Sequence, residues 1–214
     1  MILLVLTLLA SDRVATARTE RAADLKQLWQ GAGLKAAPAE VYLRAFKKER
    51  VLELWGGPRG KPLTLIQTYP FCAASGELGP KRREGDLQVP EGFYEVSQFN
   101  PWSDYHLSLK VSYPNASDKV LSDPEHPGGL IYLHGGCASI GCIAITDPAI
   151  EEVYLLAFDS AVRPVHFDIF PSRASDETDF AKQLAPALTS FERTHRPPRV
   201  KINAKSGAYA VLEP

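Results

Sequence analysis

Between Val41 and Tyr69 three short segments rich in β-branched and aromatic residues follow one another: Val41–Phe46, Val51–Trp55 and Leu63–Tyr69. Pro, Gly or charged turns separate them, which is the pattern of a β-meander. Further strands are predicted at Gly92–Gln98, His106–Ser112, Leu130–His134 and Val165–Phe170, with a possible closing hairpin at Val200–Asn203 and Ala208–Leu212 turned at Ser206-Gly207. Gly76–Pro90 holds three Gly and two Pro around Lys81-Arg82-Arg83 and reads as a long surface loop of the kind that often carries function.

Helical spacing is confined to a few stretches. Ala22, Leu25, Leu28, Trp29 and Ala32 repeat at helical intervals, with Gly31 and Gly33 marking the end. Asp147 is placed to cap a second helix, with Pro148 at its start, Glu151 and Glu152 complementing the dipole, and Ile150, Val153, Tyr154, Ala157 and Phe158 on one face. Asp176 opens a third pattern through Phe180, Leu184, Leu188 and Phe191, which Pro186 should kink or split. Many strands with few helices give an α+β, mainly β, domain with a helical C-terminal extension.

Composition narrows the function classes. With 24 basic and 25 acidic residues the net charge is −1, so no global positive field attracts nucleic acid. Apolar residues at 45% and charged residues at 23% exclude a disordered or collagen-like chain and a coiled coil. A chain of 214 residues buries a core without disulfide staples. Its three cysteines are an odd number, so at least one thiol is free or paired between molecules.

Met1–Ala10 is apolar except for Thr7. As a helix it spans about 15 Å, half a bilayer core, so it is no complete membrane span. It fits the apolar region of a secretory signal, with Ala15-Thr16-Ala17 as a small-x-small cleavage site, although no Lys or Arg precedes it. A buried strand or helix is the other reading. Residues 1–17 are accordingly set aside from the fold.

Leu130–Thr146 reads LIYLHGGCASIGCIAIT. A strand delivers His134, a loop with Gly135 and Gly136 follows, and Cys142 comes eight positions after the histidine. A tight strand–loop–strand reversal would set imidazole beside thiol, and a base of near-neutral pKa makes a thiol a strong nucleophile. Gly141 admits close backbone approach, and the N–H groups of Gly141 and Cys142 are candidates to receive an oxyanion. The bland alternative is a packed, inert cysteine and a structural histidine. Zinc on His126, His134, Cys137 and Cys142 lacks both a Cys-x-x-Cys pair and a His-Glu-x-x-His helix. Cys72 and Cys137 flank two loops that would rim one site. Three arrangements stay open: a Cys72–Cys137 bond, an inactivating Cys137–Cys142 bond, or two reduced thiols.

HGGCASIGC resembles the active-site motif of the L,D-transpeptidase (YkuD-type) catalytic domain, in which a His precedes Ser-x-Gly-Cys. Cys72-Ala-Ala-Ser75-Gly76-Glu-Leu-Gly79-Pro80-Lys81, Glu84-Gly85-Asp86, Pro90-Glu91-Gly92-Phe93-Tyr94, Asn100-Pro101-Trp102-Ser103 and Tyr113-Pro114-Asn115-Ala116 resemble its YafK-like branch. The resemblance covers roughly residues 38–172. It implies a β-sandwich or meander with flanking helices that cuts an acyl bond in peptidoglycan stem peptides, with Cys142 as nucleophile and His134 as proton donor and acceptor. Ile140 and Ala144 replace the family's usual His and Arg, which bears on whether the acceptor is an amine or water.

The domain expectation is therefore a signal peptide over 1–17, an N-terminal helix over 18–37, a catalytic domain over 38–172 and a C-terminal helical extension with a short hairpin over 173–214. Gly141, Ser139 and Gly135 are candidates for oxyanion stabilisation or substrate positioning. Lys81, Trp102 and Tyr113 are candidate substrate contacts; a solvated loop tip is the other reading for Lys81, and core or rim packing for the two aromatics. The expected partner is the stem peptide, with a wall-attached lipoprotein as a further one and no nucleic acid. The expected protein is a monomer in the periplasm or envelope, without a membrane span after processing. It needs no cofactor and no metal. The alternatives are a hydrolase on the same scaffold and a non-catalytic wall-binding module.

Overall fold

The computed structural model describes residues 2–174 and 178–212, with side chains from residue 13 onward. Among the described residues, nine strands form one sheet and two more form a separate hairpin. Strands β1 (Glu40–Phe46), β2 (Val51–Gly57) and β3 (Thr64–Pro70) pair in sequence as an antiparallel meander. Alternation sorts the side chains of β1 to two faces. Val41, Leu43 and Ala45 join the main core, while Tyr42 and Phe46 pack toward the C-terminal helix.

After the short β4 (Ala73–Ala74) comes the expected loop, then β5 (Gly92–Asn100). β5 is shared between two arms of the sheet. Its first half pairs with β9 (His166–Phe170) and its second with β6 (Ser108–Val111), across a register shift between Val96 and Gln98. A bulge bends its strand and increases the local twist, so one sheet curls where two packed sheets would otherwise be needed. β7 (Tyr132–His134) and β8 (Ile143–Ala144) complete the arm, in the order β5-β6-β7-β8-β4. The sandwich expectation is thus realised as a single curled sheet.

Four helices among the described residues flank it. α1 (Ile2–Gly31) runs without a break through Ala15–Ala17. It ends where the glycines predict: Leu34 N–H donates to Trp29 O and Gly33 N–H to Gln30 O, a Schellman closure that needs the left-handed φ of +80° at Gly33. Within residues 13–17, Ala17 is only 1% exposed and Val14 packs against the core. α2 (Ala116–Leu121) escaped the sequence reading, although Asn115 and Asp118 form a complete capping box at its start.

In α3 (Asp147–Asp159) the N-cap position falls on Thr146, whose side chain makes no capping bond, and Asp147 is the first helical residue, its carboxylate accepting the Gly136 N–H. Phe158, expected on the buried face, is exposed, while Glu151, expected to complement the dipole, is buried against Arg21 and His106. α4 (Asp179–Thr194) is one element across Pro186, capped by Thr178; Asp176, the expected opening residue, lies outside the described residues. The hairpin β10 (Arg199–Ile202) and β11 (Tyr209–Leu212) forms as predicted. No helix among the described residues is long and apolar enough to cross a membrane.

The cysteine question closes on geometry. Cys72 and Cys137 are disulfide-bonded with Cα atoms 5.2 Å apart, well within bridging distance, and Cys142 is the free thiol. The bond ties the end of β3 to the loop between His134 and Cys142. It spans 65 residues, worth about 4 kcal/mol on the chain-entropy model. Replacing both partners by serine should lower the thermal midpoint by roughly 10 °C. Thiol titration of native oxidised protein should find one reactive group, and finding three would remove the bond.

Candidate active site

β7 and β8 pair in parallel, with Leu133 opposite Ile143 and His134 opposite Ala144. The expected reversal is therefore a short return loop, over residues 135–142, which carries the chain back alongside β7. Parallel register matters chemically. Cys142 precedes Ala144 by two residues, and side chains two apart share a face, so thiol and imidazole project to the same side.

Each group is held from its backbone. His134 is buried, and its Nδ1 meets the Gly135 carbonyl at 2.6 Å. A carbonyl only accepts, so Nδ1 carries the proton and Nε2 keeps the lone pair. The Tyr105 ring lies 4.7 Å from the imidazole, centroid to centroid. Gly135 N–H donates to the Tyr105 and Leu107 carbonyls. A Cβ at Gly135 would run into the Asp147 carboxylate, so only glycine fits here. Gly135 therefore orients His134 and has no N–H to spare for substrate.

Ser139 brackets the nucleophile. Its Oγ accepts the Cys142 N–H at 3.0 Å and donates to the Cys142 carbonyl at 2.7 Å. That use of the Cys142 N–H corrects the expectation that it would receive an oxyanion. The Gly141 N–H has no acceptor among the described residues, and Gly141 takes a φ of +115° that favours glycine. The Cys142 thiol donates weakly to the Leu130 carbonyl at 3.7 Å.

The electrostatics keep both groups neutral at rest. Burial pushes the Cys142 thiol up, against smaller opposing effects of a Tyr132 backbone hydrogen bond and the Lys81 charge. Burial also lowers His134, against its bond to Gly135. Both directions favour the neutral forms, which suits general-base transfer during reaction.

Two hollows meet at the thiol. One, of about 320 Å³, is lined by Trp102, Tyr105, Tyr132 and His134. The other, of about 530 Å³, is lined by Lys81, Glu84, Glu125 and His126. Leu130, Ile140 and Cys142 belong to both, and Ile140 is 80% exposed on the ridge between them. A hollow of about 620 Å³ between α4 and β11 contains neither thiol nor imidazole.

The other sequence candidates divide. Half-exposed Trp102 lines the His134 hollow. Lys81 is no solvated loop tip: it is buried beside the second hollow, held by Asp86 and the Arg83 carbonyl. Tyr113 is buried with its hydroxyl on the Pro127 carbonyl and lines neither hollow, so it packs the rim. The zinc set falls apart, since Cys137 is in the disulfide and no group of three candidate ligands exists among the described residues. Sequence reasoning missed Tyr105, Leu130, Tyr132 and Asp147. Only contacts across the fold mark them, and no local motif does.

Residues 40–159 match the family model of the YkuD L,D-transpeptidase catalytic domain. The chain is 36% identical over 189 residues to "Putative L,D-transpeptidase YafK" of Escherichia coli K12, across 81% of this chain and 74% of that protein. Among solved structures it resembles the helical cell shape determining protein Pgp2 of Campylobacter jejuni at a TM-score of 0.51 and 23% identity, over 78% of this chain. The match spans 60% of the length of that structure and speaks to the fold alone. The K307A mutant of the same protein matches equally, at a TM-score of 0.51.

Proposed function

The chain belongs to the YkuD-type L,D-transpeptidase catalytic domain family, and on that footing we propose that it is a cysteine acyl-transfer enzyme acting on peptidoglycan stem peptides. The observation that supports the reading is the shared hollow: it is lined both by Cys142, the only free thiol of the described residues, and by His134, whose Nδ1–H is committed to Gly135 so that Nε2 keeps the lone pair.

The steps follow from those atoms. His134 Nε2 takes the Sγ proton as Sγ attacks a carbonyl carbon of the donor stem peptide. The carbonyl oxygen becomes an oxyanion facing the Gly141 N–H, a donor of the type that stabilises such charge. The C–N bond then breaks, the imidazolium returns its proton to the leaving amine, and a thioester remains on Cys142. An amine acceptor, deprotonated by His134, attacks the thioester and forms a new peptide bond; the thiol takes back the proton. No cofactor enters any step. The second hollow, across Ile140 from the first, gives the acceptor a separate approach to the thioester.

A hydrolytic reading has its own support. Ile140 and Ala144 are apolar where the resembling motif carries His and Arg, and Ala144 is buried in β8. With no charge at those positions to hold an acceptor, water replaces the amine, and the products are trimmed cross-links or a released lipoprotein. We further propose action in the envelope, reached through the N-terminal apolar run, as a monomer.

Mass spectrometry of muropeptides incubated with purified protein, with and without an added amine, separates the readings. Products heavier by the amine, less the leaving group, support transfer. Products gaining only water support hydrolysis. Unchanged muropeptides together with a Cys142 that resists small alkylating reagents would leave the non-catalytic wall-binding module.

A further inference from the structure

The N-terminal helix reaches the active site from behind. Arg13 Nη1 donates to the Ser103 carbonyl at 2.8 Å and to the His106 carbonyl at 3.1 Å. Those two carbonyls bracket Tyr105, whose ring lies against His134 and whose own carbonyl accepts the Gly135 N–H. Trp102, one residue earlier than Ser103, lines the same hollow. A second clasp runs in parallel: Arg21 Nε donates to Glu151, and the other oxygen of that carboxylate meets His106 Nε2 at 2.7 Å. Arg13, Ala17 and Arg21 recur at i, i+4 and i+8, one stripe of α1, and the middle member is buried in the core.

The loop that shapes the base side of the site is thus fixed by two arginines on a helix that supplies no catalytic group. Tyr105 N–H turns to the local Ser103 Oγ and the Tyr105 carbonyl takes the Gly135 N–H, while Arg13 Nη1 ties the Ser103 and His106 carbonyls on either side to α1. We propose that Arg13 is a positioning residue of the active site, acting through the 103–106 loop on Tyr105 and His134, and that processing of this chain leaves residue 13 attached. The first part rests on the reading of His134 as base. Cleavage after Ala17 would remove Arg13 and Val14 and set a charged terminus beside Ala17, the one member of the Ala15–Ala17 run that packs in the core.

Three variants of the full chain test it: Arg13→Ala, Arg13→Lys and Arg18→Ala. Arg18 pairs with Asp159 on α3 and touches nothing in the loop, so its loss loosens the same helix elsewhere. The substrate-free readout is the His134 ring proton resonance, which the Tyr105 ring current displaces. Arg13→Ala should shift it toward an unstacked histidine, Arg13→Lys should restore most of the displacement, and Arg18→Ala should leave it in place. On muropeptides, kcat should fall about tenfold in Arg13→Ala, within the range that small misplacements of catalytic groups cost. All thermal midpoints should stay within about 2 °C, as for other surface changes.

An unchanged His134 resonance in Arg13→Ala overturns the proposal, as does an equal shift in Arg18→Ala, which would mean simple helix docking. If wild type turns over no muropeptide, the acyl-transfer reading fails while the resonance still decides the Arg13 linkage. Intact mass of the protein recovered from cells reads the second part: a chain starting at or before residue 13 supports it, and one starting at residue 18 overturns it.

Discussion

Cys142→Ala should abolish turnover of muropeptides and leave the fold in place. The thiol is half-buried at the junction of two hollows, and its hydrogen bond to the Leu130 carbonyl is long and weak, so little structure depends on it. Ser139 holds residue 142 by its backbone, and that bracket survives any side-chain change. Cys142→Ser preserves size and a proton, yet a hydroxyl is far less acidic than a thiol already pushed up by burial. Loss of a nucleophile that works as a unit with its base costs at least about 10³-fold in kcat. Both variants should therefore fall below detection by product mass spectrometry, with thermal midpoints near wild type. Turnover of either within tenfold of wild type would refute Cys142 as the nucleophile.

His134→Ala should slow acylation by about 10²–10⁴-fold, the usual contribution of a positioned base. The pH dependence carries the sharper signature. Burial lowers the imidazole below its ordinary range, and a base works only when unprotonated. Wild-type activity should hold through neutrality and fall only as pH drops through that depressed value, below the ordinary histidine midpoint of about 6.5. On the alkaline side the thiol, raised by burial, begins to ionise without help. The deficit of His134→Ala should then narrow as pH rises past the ordinary thiol range. Pre-steady-state acylation across pH measures both limbs. A deficit that stays constant at high pH would mean that His134 supports structure or binding rather than proton transfer.

The features that sequence alone determines are those encoded within a few residues of one another. Period-2 segments with turn residues between them fix β1–β3, because each strand pairs with its chain neighbour. The Ser206-Gly207 turn fixes the final hairpin in the same way. Ile150, Val153, Tyr154 and Ala157 mark the buried face of α3 by spacing. Asn115 and Asp118 carry a local capping signal for α2. His134 and Cys142 stand out because strand, glycine loop and Ser-x-Gly-Cys lie in one short stretch.

Tertiary structure decides the rest, since it depends on which distant segments the closed core brings together. The parallel pairing of β7 and β8 follows from the order of the curled sheet, and it replaces the simple reversal that local spacing suggests. The Cys72–Cys137 pairing depends on a Cα separation that no spacing reveals. Tyr105 reaches His134, Asp147 reaches Gly136 and Arg13 reaches Ser103 across intervals that local patterns do not encode. The protonation states are decided there too: burial keeps the thiol protonated and the imidazole neutral, and burial is a property of the whole packed chain.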